Sequence, residues 1–167
     1  MSDIHPIVSV NKPSALSPTE IQDFVALVLA GGEVMAHGLE DRVKAAAHIA
    51  FLREGKCLLG VAGLKLPSQN HRSEVEGGSR AALGAQEYPF ELGWVFVLPS
   101  ARGRKLSLPL CSAVVEAAQG RGIFATSRAT NIGMHKTLTK IGFTRVGVEW
   151  PSRQNQGQLA LFVRNVA

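Results

Sequence analysis

Tyrosine is almost missing from this chain. Its 167 residues include one, Tyr88, and aromatic residues together make up 6%. A surface that stacks single-stranded bases on successive rings has little to draw on. Cysteine is nearly as scarce: Cys57 and Cys111 form neither a disulfide framework nor a metal-ligand spacing. A reducing, cytoplasmic setting and no metal are the simplest expectation. No apolar run approaches the roughly 18 residues that a membrane-crossing helix needs. The opening MSDIHPIVSV lacks the basic start and apolar stretch of a secretory signal, so no membrane partner is expected. Internal repeats, low-complexity tracts and linkers are absent as well, which leads to the expectation of one domain over 1–167.

Acidic residues are what the C-terminal part lacks. Residues 1–100 carry 8 Lys+Arg and 11 Asp+Glu, a net of −3. Residues 101–167 carry 10 Lys+Arg against only Glu116 and Glu149, a net of +8. A field concentrated in this way steers anions: nucleotide phosphates, nucleic acid or an acidic protein face. The overall composition, 46% hydrophobic and 19% charged, is that of an ordinary globular protein.

What is present reads as alternating strands and helices. Ile4, Val8 and Val10 suggest a short strand that ends at Asn11, Lys12 and Pro13. Ser17-Pro18-Thr19-Glu20 is a capping box with proline at the first helical position. The helix it starts has Ile21, Phe24, Val25, Leu27 and Val28 on its apolar face, and Gly31-Gly32 stops it. A weaker helix fits Leu39 to Ala46. The apolar runs 47–52 and 56–66, joined at Glu54-Gly55, read as a hairpin. Residues 67–89 are polar with little periodicity and read as a long loop holding one irregular helix at most. ELGWVFVL at 91–98 is apolar on both faces and so belongs in the middle of a sheet. After a break at Pro99 and Gly103, a helix covers 106–118, with Pro109 tolerated only in its first turn. A short strand at 123–126, a helix at 131–141 capped by Gly142, and strands at 143–150 and 159–166 complete an α+β order with at least one parallel crossover.

The turn Pro99-Ser-Ala-Arg102-Gly103-Arg104-Lys105-Leu106-Ser107 joins the central strand to a helix N-terminus. Such a terminus offers unpaired amides and the positive end of a helix dipole to an anion. Farther on the chain reads Asn131-Ile-Gly-Met134-His-Lys-Thr-Leu138-Thr-Lys-Ile-Gly142-Phe143. The first segment resembles the pyrophosphate loop of the GNAT superfamily of acyl-CoA-dependent N-acyltransferases, usually written Q/R-x-x-G-x-G/A. The second is similar to that family's N-x-x-(apolar)-x-x-L-Y-x-x-x-G-F. The resemblance covers roughly residues 45–165, and its sharp motifs lie within 91–143.

The resemblance implies a mixed central sheet of six or seven strands, flanked by helices and splayed at the central strand pair. It implies acetyl-CoA as acyl donor and direct attack by a primary amine in a ternary complex. Phe96, Val97 and Leu98 would offer backbone groups to the acetyl carbonyl and pantetheine arm. The amides of Arg102, Gly103, Arg104, Lys105, Leu106 and Ser107 would hold the pyrophosphate. Asn131 would touch the pantetheine or adenosine, and it also fits as a helix N-cap. Glu91 matches the place where the family often keeps a general base, with His71, Glu87 and Tyr88 as alternatives. His135 reads as a surface residue, and Cys111 as core packing.

The chain departs from the family pattern at three positions. Lys105 stands where the loop has its first glycine, Ser107 where it has Gly or Ala, and Leu138 where many members carry a proton-donating tyrosine. Two readings follow. One is an N-acetyltransferase whose acceptor is a small amine, a protein amine or an aminoacyl-RNA. The other is a degenerate binding module of the same fold, for nucleic acid or an acidic protein. Both a monomer and a homodimer are compatible with the sequence.

Overall fold

The computed structural model describes residues 4–154 and 156–167. Seven strands form one sheet: β1 (Ile7–Asn11), β2 (His48–Glu54), β3 (Cys57–Lys65), β4 (Phe90–Val97), β5 (Ile123–Arg128), β6 (Thr144–Pro151) and β7 (Gln158–Arg164). Their order is β1-β2-β3-β4-β5-β7-β6, so the strand that is apolar on both faces is central. All neighbours are antiparallel except β4 and β5.

Local chemistry sets most of these elements. The Ser17 hydroxyl accepts from Glu20 N at 3.2 Å and the Glu20 carboxylate accepts from Ser17 N at 3.1 Å, which starts α1 (Pro18–Ala30). Ile21, Phe24 and Val28 form its buried stripe. α2 (Leu39–Lys44) adds Leu39 and Val43. Gly55, at φ +60°, opens the tight turn between β2 and β3.

The helix expected within residues 67–89 is a regular one. Helix α3 (Gln69–Ser79) occupies half of this stretch, with the Ser68 hydroxyl accepting from His71 N at 3.1 Å. The reason it escapes a periodicity search is that its buried side is Arg72, Val75 and Ser79. The helical stripe is there, but two of its three residues are polar. Arg72 is only 4% exposed and donates to the carbonyls of Leu83 (2.9 Å) and Tyr88 (2.8 Å). It pins the 80–89 connection with backbone acceptors rather than apolar contact.

The helices divide between the two sheet faces. α4 (Ser107–Ala117) and α5 (Ile132–Lys140) pack with Ala50, Leu52, Ala62, Leu92, Ala125 and Phe162. On the other face α1 and α2 cover Ile49, Phe51, Val61 and Trp94. There Phe24 meets Phe51 and Trp94 edge-on, with centroids 5.6 and 5.9 Å apart. α3 covers Phe124, Leu161 and Val163 on that same face. Between α1–α2 and α3 the sheet is left uncovered over β4 and β5.

Candidate active site

β4 and β5 pair at two positions only, Phe90 with Ile123 and Glu91 with Phe124, and then part. The expected splay is therefore present. A cleft of about 630 Å³ lies over and between the diverging strands, bounded by Val34 and Met35, by His71 and Val75 of α3, and by Trp150. Glu91, Trp94, Phe96, Ser127 and Asn131 also line it.

β4 bulges here. Gly63 and Gly93 are partners, yet the next pairing is Val61 with Phe96, so β4 holds one residue too many. Trp94 absorbs the extra residue at φ +55°, a left-handed conformation unusual for a large side chain. The ring it buries against α1 fixes this geometry.

Beyond the bulge, the backbone groups expected to serve a ligand divide. The Leu98 amide is committed to the Leu59 carbonyl of β3 at 2.8 Å, which corrects the expectation for that residue. Phe96 stands opposite Val61, and alternation directs its backbone to β3 as well. Alternation turns Val97 the other way, and its carbonyl accepts from Arg102 Nε at 3.2 Å. The Arg102 guanidinium also lies 5.7 Å from the Phe96 ring centroid.

In the turn to α4 the Arg102 amide is likewise engaged, with the Pro99 carbonyl at 3.3 Å, and so is not an open donor. The amides of Gly103, Arg104 and Lys105 take no backbone partner among the described residues. Gly103 at φ +82° and Lys105 at φ +57° are both left-handed. Lys105 thus adopts a conformation that glycine takes more readily, and it does so with a Cβ. The Arg104 guanidinium pairs with Glu54 of β2. The first intrahelical bond of α4 runs from Leu110 N to Leu106 O at 3.3 Å, and no side chain caps the helix. The amides of Ser107 and Leu108 are therefore open to an anion. The Ser107 hydroxyl is within 3.2 Å of that of Thr137, tying α4 to α5.

Asn131 is the N-cap of α5, its side-chain oxygen accepting from Met134 N at 3.2 Å. Leu138 is fully buried in the core. His135, expected at the surface, is half-buried: Nε2 lies 2.9 Å from the Arg128 carbonyl, and its ring centroid is 4.9 Å from that of Phe162. Arg128 is the last residue of β5 and lies three positions before the Asn131 cap of α5, which brings that carbonyl within reach. Cys111 is fully buried, and burial pushes its thiol up to about 12, an inert core residue.

Glu91 is 3% exposed and ionised. Burial by itself raises its pKa, but the charge of Lys65 and a hydrogen bond from His71 outweigh burial and hold the carboxyl at about 2. His71 Nε2 is 3.0 Å from Oε2. Lys65 Nζ is 3.1 Å from Oε1, a buried ion pair. His71 stacks on Phe124, centroids 6.4 Å apart, and the Lys65 ammonium lies 5.0 Å from the Trp94 ring. Of the other candidate bases, Glu87 is exposed and Tyr88 is buried with its hydroxyl donating to Asn165. Neither lines the cleft.

A seven-stranded mixed sheet, splayed after one short parallel pairing and followed by an uncapped helix, has well-defined counterparts. Escherichia coli ElaA superposes with a TM-score of 0.71 over 96% of this chain and 100% of its own, at 14% identity. An acyl-CoA N-acyltransferase from Pseudomonas aeruginosa gives 0.68 over 96% and 99%, at 14% identity. The chain has the GNAT fold. YncA of Salmonella typhimurium, a putative acetyltransferase solved with acetyl-CoA, shares it at TM-score 0.65 over 98% and 95%, with 14% identity. No family model matches the sequence, and no curated protein matches it either.

Two cleft residues of this GNAT fold carry no motif. Lys65 ends an apolar strand and looks like an ordinary strand terminus. Ser127 lies in the polar triplet Thr126-Ser127-Arg128 that closes β5, the one sequence signal that this strand leaves the apolar core.

Proposed function

We propose that this chain is an acyl-CoA-dependent N-acyltransferase that uses acetyl-CoA and a primary amine. The observation that carries this reading is the two-pair contact between β4 and β5, because the strands part toward the uncapped start of α4. An extended thioester arm fits between parting strands, and a pyrophosphate fits the open amides and dipole at the helix start. The residues present suit such a ligand: Gly103 adds no side chain to the turn, and Lys105 adds a cation. Acetyl-CoA would supply an activated acyl group on a good leaving thiolate.

The protein's part is positioning and polarisation. The open Val97 edge, once released by Arg102, can hold the extended arm. The cleft between α1–α2 and α3 brings the amine over β4. Glu91 stays ionised, which favours an ammonium at the cleft floor. Its depressed pKa makes it a weak proton acceptor, so the proton leaves the amine through Glu91, His71 or water without strong thermodynamic pull. The single domain over 1–167 and a cytoplasmic setting belong to this proposal.

Thermal unfolding with excess acetyl-CoA tests it. Ligand at 100 times its dissociation constant stabilises by about 2.7 kcal/mol, a rise of roughly 5–10 °C in Tm for a domain of this size. Arg102→Ala combined with Gly103→Ala is expected to remove the rise. No shift with millimolar acetyl-CoA or longer acyl-CoAs overturns the reading.

A further inference from the structure

We propose that the Ser127 hydroxyl is the hydrogen-bond donor to the sulfur of the bound thioester, and so stabilises the departing thiolate in a chain that lacks the family's tyrosine. The inference rests on the acyl-CoA reading of the cleft and names a residue that reading leaves out.

Among the described residues, three buried side-chain polar atoms lack a geometric hydrogen bond, His48 Nδ1, Glu91 Oε1 and Ser127 Oγ, and of these Oε1 has the Lys65 ammonium at 3.1 Å. Two of those residues, Glu91 and Ser127, line the same cleft from the two strands that part. Ser127 is 7% exposed. A hydroxyl stripped of water and left without a partner is destabilising, and an alanine there avoids the cost. Its retention in a cleft wall is accounted for by a ligand atom that it meets.

The position suits sulfur. Ser127 is three residues past Phe124, the last β5 residue paired to β4, or about 10 Å farther along the strand. There β4 has parted from β5, while β7 still pairs with it, Ala160 opposite Ser127. Alternation places it on the face of Ile123 and Ala125, which pack in one cluster with Leu138 and Met134 of α5. That is the face from which a tyrosine at 138 would act, and Leu138 brings no donor to it. Two other polar side chains at this end are committed, Thr137 Oγ1 to Ser107 and His135 Nε2 to the Arg128 carbonyl, and Asn131 uses its Oδ1 to accept from Met134 N.

The amine nitrogen forms its bond to the carbonyl carbon, the C–S bond breaks, and sulfur keeps the bonding pair. Ser127 donates a hydrogen bond to that sulfur and retains its own proton. The proton lost by the amine leaves on the Glu91 side or to water.

The test needs no acceptor. Calorimetric Kd values for CoA and desulfo-CoA are compared in wild type and Ser127→Ala, above the pH at which bound CoA ionises. The ionisation itself is followed through the ultraviolet absorbance of the thiolate. Wild type is expected to prefer CoA thiolate over desulfo-CoA by about tenfold, the scale of a hydrogen bond to a charged group. Ser127→Ala is expected to lose most of that preference, to keep the desulfo-CoA affinity, and to raise the pH at which bound CoA ionises. Without ligand, the variant is expected to unfold at the same or a higher urea concentration, which excludes misfolding as the cause. An unchanged preference and unchanged thiol titration in the variant overturn the role of Ser127 and leave the acyl-CoA reading standing. Binding of neither CoA nor desulfo-CoA to wild type overturns both.

Discussion

At the scale of single residues, the site is a set of local conflicts held by the surrounding fold. Lys105 keeps a left-handed backbone at φ +57° that costs a non-glycine residue roughly 1 kcal/mol. Lys105→Gly is expected to raise stability by up to about 1 kcal/mol in urea unfolding, whereas Lys105→Ala, which keeps the Cβ, gains nothing. Glu91 is the second conflict, a buried carboxylate held ionised by Lys65 and His71. Its folded pKa of about 2 lies below the ordinary 4.5, so the folded state binds fewer protons than the unfolded state. The stabilisation from Glu91 is complete above about pH 4.5 and is lost as the pH falls through about 2. Glu91→Gln is expected to flatten that part of the stability–pH curve. It also costs on the order of 3 kcal/mol at neutral pH, because Lys65 is left without its counter-charge. Urea midpoints from pH 2 to 7 check both statements.

At the scale of elements, α3 decides the shape of the cleft. It brings His71 to Glu91 and lays Gly78 against Trp150 of β6. A Cβ on Gly78 would sit 2.5 Å from the Trp150 ring, while a Cβ on Gly77 would meet nothing within 4 Å. Gly77→Ala is thus expected to stabilise by roughly 0.5–1 kcal/mol through helix propensity. Gly78→Ala, the same chemical change one residue later, is expected to destabilise by about 1–3 kcal/mol as helix and sheet are forced apart. Chemical denaturation of the two variants tests the docking of α3 directly. Equal stabilisation by both would mean that the helix does not rest on Trp150.

At the scale of the whole molecule, the C-terminal excess of positive charge separates the two functional readings. Nucleic-acid binding through 6–10 phosphate contacts weakens by about 10³–10⁵ between 50 and 200 mM salt. An acyl-CoA held largely by its buried pantetheine arm and by fixed amides is expected to lose far less over that range. Parallel titrations with acetyl-CoA and a duplex oligonucleotide measure the difference. Part of the basic excess is already neutralised within the fold, since Arg104 pairs with Glu54, Arg128 with Glu33 and Arg153 with Glu74. The net charge of a segment therefore overstates its attraction for a polyanion.

The sequence by itself determined the elements whose signals are local. The Ser17 capping box, the doubly apolar β4, the strand-to-helix turn at 99–107 and the Asn131 cap each arise from residues a few positions apart, and each was legible. Glu91 was legible as a position, but its state was not, because Lys65 and His71 reach it from β3 and α3. The same holds for α3, whose polar stripe becomes a helix face only when Arg72 finds the carbonyls of Leu83 and Tyr88. Ser127 is the clearest case. Its hydroxyl is ordinary in sequence and becomes exceptional only where β5 leaves β4, since burial without a partner is a property of what the fold fails to place beside a side chain.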